Sequence, residues 1–332
     1  MSEIKVKKWL QLFRAQTGFA TVYTVVTPYM YLTKDLFLSF VLIPILLFLH
    51  YASFGHNSVM DYFHDLKDPH KKHHPLIAQK IKYEAAHNVI HTMLIISSIS
   101  LIMISLTSKK PVESLVALMM YLVFGHAYND GLSKTTKHSW LPISLCFTSL
   151  FAYGWFLGGG EINIKFVLLL IAVFMMIFYQ IAFEGNLKDI CHENNLLKNV
   201  AKKVECVIKN NKTFITYVGN KFSWARLVTF LNLVVVLSLD NMFYGLVTIG
   251  ITFSIVMILI TEMNEKLEEG VDRDLLLKYF GLIEAITFFM MLSLIAFDLI
   301  WLGIYLIWVL MGATYFVLMN RYLWETRWAP KV

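Results

Sequence analysis

Charge is what this sequence has least of for its size: only 16% of its 332 residues are Asp, Glu, Lys or Arg, against 57% hydrophobic, and the mean hydropathy is +0.60. Soluble domains carry about a quarter charged residues, so the scarcity excludes an ordinary globular class and points to a chain solvated by lipid. Cysteine is also scarce. Cys146, Cys191 and Cys206 show no pairing pattern and no Cys-x-x-Cys occurs, which argues against a disulfide framework and a thiolate metal site. No small-residue cleavage site follows the first apolar run, which Arg14 and Thr17 interrupt, so that run reads as a mature helix rather than a removed signal peptide.

What is present is a succession of long apolar runs. A crossing of the hydrocarbon core takes about 20 mostly apolar residues, and such runs lie near 9–31, 37–60, 86–107, 113–129, 139–158, 164–185, 224–239, 241–263, 276–297 and 299–320. The expected fold class is all-α, a polytopic membrane bundle of nine or ten transmembrane helices in a single domain over 1–332. The short 224–239 run and the junction near Asp298 leave the count open by one. Of the 29 Lys and Arg, 25 fall in segments 1–14, 61–86, 129–139, 186–226, 262–278 and 321–332, while Lys34, Lys109, Lys110 and Lys165 fall on the other side. Cytoplasmic loops carry the cation excess, so the expectation is a multi-pass protein of the cell membrane with its N-terminus in the cytoplasm. The net charge of +6 is then mainly a topology signal, with membrane lipids of anionic headgroup as secondary partners and no case for nucleic acid.

Against that apolar background, "NSVMDYFHDLKDPHKKHHPL" (57–76) follows the second run and sets down acids, histidines and lysines together. Asn57, Asp61 and Asp65 are spaced i, i+4, i+8, which aligns an amide and two carboxylates on one helix face. Like charges at that spacing repel, so they call for a compensating cation; a solvated helix end is the plain alternative. A second stretch, "EGNLKDICHEN" (184–194), closes the sixth run and spaces Asn186, Asp189 and Glu193 as N-x-x-D-x-x-x-E. Hard oxygen ligands of this kind suit Mg²⁺ bridging to a phosphate. Beside lysines, such a site makes diphosphate a leaving group, and a greasy cavity next to it invites an allylic isoprenoid diphosphate.

These two acid motifs, their positions after runs two and six, and "YNDGLSK" (128–134) after run four together resemble the UbiA superfamily of intramembrane prenyltransferases. The resemblance implies helices packed around a central cavity, with cytoplasmic cap loops at about 61–86 and 186–223. It implies Mg²⁺ held by Asp61, Asp65, Asp189 and Glu193, which are also the catalytic residues, with Asn57 and Asn186 as supporting oxygen ligands. In the family the first motif is N-D-x-x-D-x-x-x-D and the second D-x-x-D-x-x-x-D; here Ser58 replaces the acid beside Asn57, Asn186 the first acid of the second motif, and Glu193 its last. Tyr128 and Lys134, rather than Lys137, resemble the tyrosine and basic residue directed at the diphosphate. The loop "DPHKKHHPL" (68–76) resembles a basic segment ending in proline, with His74 where an arginine is usual.

Lys71 and Lys72 are the safer loop cations, although positive-inside lysines are an equally ordinary reading. Arg14 lies inside the first run, where it either meets the diphosphate or snorkels to the interface. Of the other polar residues in or near spans, His87, Asn88, His91, His126, Glu184, Asn232 and Glu284, only Glu284 is weighed for the acceptor pocket, with Lys278 as an alternative partner; His91 and His126 read as interhelical hydrogen-bonding groups. Apolar positions recur at helical spacing between lysines over 196–208, as in an amphipathic helix on the inner surface.

The expected reaction is Mg²⁺-dependent transfer of a prenyl group from an isoprenoid diphosphate donor to an aromatic quinone precursor or a lipid acceptor. A glycerol-phosphate lipid is the second acceptor, and cyclisation without an acceptor also fits. The runner-up is phosphoribosyl transfer to a polyprenyl phosphate; a cation-coupled transporter would place its acids at mid-membrane on broken helices. A non-catalytic scaffold relative also fits the departures at Ser58 and Asn186.

Overall fold

A computed structural model of the chain describes residues 3–67, 71–72, 74–129, 138, 140–185, 212–269 and 273–325. Every regular element among them is helical. In chain order they are α1 (Glu3–Leu12), α2 (Gly18–Thr33), α3 (Leu36–Met60), the short α4 (Tyr62–Asp65), α5 (Tyr83–Leu106), α6 (Pro111–Ala127) and α7 (Trp140–Leu157). After them come α8 (Ile164–Tyr179), α9 (Lys212–Leu239), α10 (Phe243–Glu269), α11 (Arg273–Leu292) and α12 (Leu299–Trp324). Among the described residues seven helices are long and apolar enough to cross a membrane, and Pro111–Ala127 and Ser223–Leu239 are shorter apolar helices.

The junctions that looked doubtful are helix ends with identifiable stops. Asp298 caps α12 by accepting from Trp301 N at 2.9 Å, and Asn241 turns the chain between α9 and α10 in the left-handed region (φ 53°). The first expected run, 9–31, is not one helix. Arg14 takes a left-handed backbone (φ 48°), so the run divides into α1 and α2 around a 3₁₀ turn at Ala15–Thr17. The carbonyls freed by the break are not left bare. Tyr315 Oη donates to Ala15 O at 2.6 Å and Thr17 Oγ1 to Arg14 O at 2.9 Å, while buried His50 of α3 reaches Thr17 Oγ1 (3.1 Å) and Thr21 Oγ1 (2.8 Å).

Helix α2 runs through the middle of the bundle, buried from Thr21 to Met30 and packed against α3, α7, α11 and α12. Because lipid is as apolar as a leucine side chain, helices in a membrane gain by close approach rather than by hiding from solvent. Two glycines permit it. A Cβ on Gly154 of α7 would stand 2.1 Å from Val25 O, and one on Gly312 of α12 would stand 1.8 Å from Tyr23 Oη, which donates to Trp308 O at 2.6 Å.

The rest of the core divides by depth. The large cluster fills the middle and one end of the bundle, where Asp35, Asp240, Lys165, Tyr29 and Tyr31 pair with one another. At the opposite end lie smaller clusters, a minor one of Ala15, Leu323 and Trp324 and two larger. One joins Leu12, Phe13, Ala52, Val59 and Ile90 of α1, α3 and α5; the other joins Tyr179, Phe183, Ala225, Val256, Met263 and Ile283 of α8 to α11. The first acid motif sits on the former and the chain leads into the second acid motif from the latter.

Candidate functional site

Asp61 and Asp65 stand where helix physics does not want them. The C-terminal end of a helix carries partial negative charge, and α3 ends there. The backbone nevertheless continues helically through the motif, with Asp61 N donating to Asn57 O and Asp65 N to Asp61 O, each at 2.9 Å. Asn57, Asp61 and Asp65 thus follow one another by single turns, and Asn57 Nδ2 donates to Asp61 Oδ2 at 3.1 Å. Asp65 is buried and accepts from Lys71 Nζ at 2.8 Å, an ion pair between helix end and covering loop; Lys72 is exposed.

His74 lies under the same loop, 8% exposed, close to Arg14, Lys71 and Asp61. Burial, reinforced by the two cations and only partly opposed by Asp61, pushes its pKa down to about 4. The residue standing where an arginine was expected is therefore neutral at pH 7, able to donate or accept one hydrogen bond but not to add charge. Its Nδ1 is buried with no hydrogen-bond partner among the described residues. Positive charge comes instead from Arg14. The left-handed turn at Arg14 puts its guanidinium 5.8 Å from the Phe54 ring of α3, on the acid-bearing face of that helix end.

Ser58, where an acid was expected, is taken up by packing. It is buried, and its Oγ donates to Phe54 O at 3.1 Å and Leu12 O at 3.4 Å, so this position ties α3 to the end of α1. Tyr128 caps the end of α6 and Asn129 follows it, with Asn129 Nδ2 2.9 Å from Nδ1 of buried His56. His56 was not singled out by sequence. It faces His91 (ring centroids 5.5 Å apart) and His126 (6.0 Å). His91 Nδ1 bonds His87 O of its own helix at 2.8 Å, and it meets His56 across helices through a ring contact. Asn232 likewise donates within its helix, to Val228 O at 2.8 Å, and Asn88 is exposed.

Glu184 and Arg226 form the second charged group. Both are 1% exposed, and Arg226 Nη2 lies 3.8 Å from Glu184 Oε1, with the Glu284 carboxyl against that of Glu184. Glu284 therefore belongs to this cluster. Arg226, which by sequence falls among the inner-loop cations, is with His56 a residue that spacing does not flag; the available signal is an arginine three residues into an apolar run. Lys134, Lys137, Asn186, Asp189 and Glu193, the amphipathic stretch 196–208, Cys191 and Cys206 lie outside the described residues. The donor set at Asn57, Asp61 and Asp65 is hard oxygen throughout and fits Mg²⁺ in chemistry. Among the described residues no three acids, histidines or cysteines converge closely enough to hold a metal by themselves.

The sequence matches the model of the UbiA prenyltransferase family over residues 19–270. Among solved structures the chain is similar to a UbiA homologue from Archaeoglobus fulgidus bound to DMAPP and Mg²⁺, with TM-score 0.60 and 15% identity over 87% of this chain and 99% of that one. It is similar also to digeranylgeranylglyceryl phosphate synthase, with TM-score 0.56 and 17% identity over 88% of this chain and 98% of that one. A third likeness is to the apo UbiA homologue from Aeropyrum pernix K1, with TM-score 0.56 and 12% identity over 87% and 97%. At such identities these likenesses speak to the fold. No curated protein matches the sequence.

Proposed function

The chain belongs to the UbiA prenyltransferase family, and on that premise we propose that it is a Mg²⁺-dependent prenyltransferase, moving a prenyl group from an allylic isoprenoid diphosphate to an aromatic or lipid acceptor held in the membrane. The observation that carries this reading is the meeting of Asn57, Asp61 and Asp65 with Arg14, Lys71 and His74 at one end of the bundle. The A. fulgidus homologues bound to DMAPP or GPP with Mg²⁺ support the donor class.

In this reading Asp61 and Asp65, with Asp189 and Glu193, hold Mg²⁺, and Asn57 and Asn186 add neutral oxygens. Magnesium bound there would supply Lewis-acid stabilisation of the diphosphate as a leaving group. Arg14, Lys71, Lys72 and Lys134 neutralise the departing diphosphate, Tyr128 donates to it, and uncharged His74 offers a hydrogen bond from beneath. Lys71 has two uses on this account, since it holds Asp65 until diphosphate competes for its ammonium group. The apolar interior takes the prenyl tail, and an acceptor nucleophile captures the allylic carbon before a proton is lost. The chain is read as a single-domain, multi-pass protein of the cell membrane, and the cation excess supports placing this end in the cytoplasm.

The test is diphosphate release by the purified protein from farnesyl, geranylgeranyl and longer diphosphates, with Mg²⁺ or chelator, across a panel of aromatic and lipid acceptors. The expected result is Mg²⁺-dependent release that quickens with one acceptor. No release from any donor by folded protein would overturn the reading.

A further inference from the structure

Two buried ionisable groups, Glu184 and Arg226, with half-buried Glu284 beside them, call for an explanation other than stability. Replacing a buried ion cluster with well-packed apolar residues is often neutral or stabilising, so Glu184, Arg226 and Glu284 are expected to fix a geometry. Their location identifies which one. Helix α8 is α-helical to Tyr179 and then widens into a π turn, Gln180–Gly185, the last described turn before the second acid motif. Such turns close i to i+5 and seldom form without a cause.

The cause lies in what the Arg226 guanidinium touches. One face stacks on the Tyr179 ring, with Cζ 4.3 Å from its centroid, and Nη2 stands 3.8 Å from Glu184 Oε1. Tyr179 and Glu184 are five residues apart. On a regular α-helix that separation turns two side chains about 140° away from each other, too far around for one guanidinium to meet both, whereas a turn closed i to i+5 brings them toward a common face. Arg226 is itself held to α8 by Nη1, which donates to Met176 O at 3.5 Å, and one turn further along α9 Thr229 Oγ1 donates to Ala172 O at 3.2 Å. The far side of Glu184 is closed by Glu284 of α11.

We infer that Arg226 is a positioning residue that clamps Tyr179 and Glu184 and so holds the π turn from which the chain leads into the second acid motif. Glu284 completes the enclosure from α11. The clamp sets the direction in which the chain leaves Gly185, and through it the readiness of that motif to bind Mg²⁺. This consequence rests on the prenyltransferase reading; the clamp itself does not.

The experiment has two arms, run on the full-length protein in detergent with Arg226→Met, Arg226→Lys and Glu184→Gln. The first is amide hydrogen exchange. Arg226→Met is expected to raise exchange at 180–185 at least 10-fold with α10 unchanged, and Arg226→Lys, which keeps the charge, to raise it less. Unchanged exchange at 180–185 overturns the clamp. The second arm is binding of geranylgeranyl diphosphate as Mg²⁺ is titrated. A rise of about 10-fold in the Mg²⁺ needed for half-saturation is expected for Arg226→Met, a shift that mere loss of folded protein would not produce; an unchanged midpoint overturns the link to the motif. Should Arg226→Met fail to fold, the isosteric Glu184→Gln decides both arms. If the wild type binds no donor, the functional reading falls while the exchange arm still judges the clamp.

Discussion

The two acid-bearing helix ends, that of α3 and that of α8, use carboxylates in opposite ways. At α3 the acids sit beneath a loop: Asp61 is part-exposed, and Asp65 is paired with a lysine on a chain segment outside any long helix. At α8 the acid is sealed: Glu184 is held by an arginine that belongs to a transmembrane helix and packs on Tyr179. A partner on a loop can give way to a competing ligand at the cost of one ion pair. A partner locked between helices cannot move without the bundle. The difference assigns chemistry to Asp61 and Asp65 and architecture to Glu184, although all three stand at the unfavourable pole of a helix.

The largest expected effect tests the first half of that assignment. Asp61→Asn should lower Mg²⁺-dependent prenyl transfer by at least about 100-fold while leaving the melting temperature near that of the wild type, because Asp61 lies outside the packed clusters. Activity within a few-fold of wild type, measured by diphosphate release, would break the comparison from that side. The reverse pattern is expected at the second end. Glu184→Ala leaves Arg226 buried without its carboxylate and should destabilise the fold by roughly 3–5 kcal/mol, read as a fall in the thermal midpoint in detergent. A stable Glu184→Ala protein would make the two ends alike.

Gly154→Ala calibrates those losses against plain packing. Its Cβ would lie 2.1 Å from Val25 O, a backbone atom that cannot swing aside, so α2 and α7 must part, at about 1–3 kcal/mol. The fourth effect depends on pH. With its pKa at about 4 in the fold and near 6.5 when unfolded, His74 takes up a proton first in the unfolded chain as pH falls. Its contribution is therefore whole above pH 6.5 and lost progressively toward pH 4, a loss on the order of 2–3 kcal/mol. His74→Gln should flatten the thermal midpoint over that window relative to wild type, and an identical slope would contradict the burial argument. The smallest effect belongs to the far end of the bundle. Lys165→Met breaks a part-exposed pair with Asp240 and should change stability by no more than about 1 kcal/mol and activity not at all.

Hydrophobic run length was enough to find most of the helices, because a 20-residue apolar stretch has few alternatives in a membrane. The run at 37–60 is α3 (Leu36–Met60) and that at 164–185 is α8 with its π turn. What run length does not register is a change of geometry within an apolar stretch. The left-handed residue at Arg14 is fixed by His50 and Tyr315, distant in sequence, and the widening after Tyr179 is fixed by Arg226 from α9. The spacing of Asn57, Asp61 and Asp65 was readable because a helix end is a local object. That Ser58 faces α1 and His74 is neutral depends on packing, which spacing does not encode.

Magnesium-dependent prenyl transfer, with Asp61 and Asp65 of the α3 end beside Asp189 and Glu193, is the activity proposed for this bundle. Its most direct measurement incubates purified protein with geranylgeranyl diphosphate, Mg²⁺ and lipid and aromatic acceptors, and follows diphosphate and the acceptor's mass together. The account predicts an acceptor heavier by one prenyl group for each diphosphate released, and neither product in chelator. Folded protein that yields no diphosphate and no prenylated product from any donor in Mg²⁺ would contradict it.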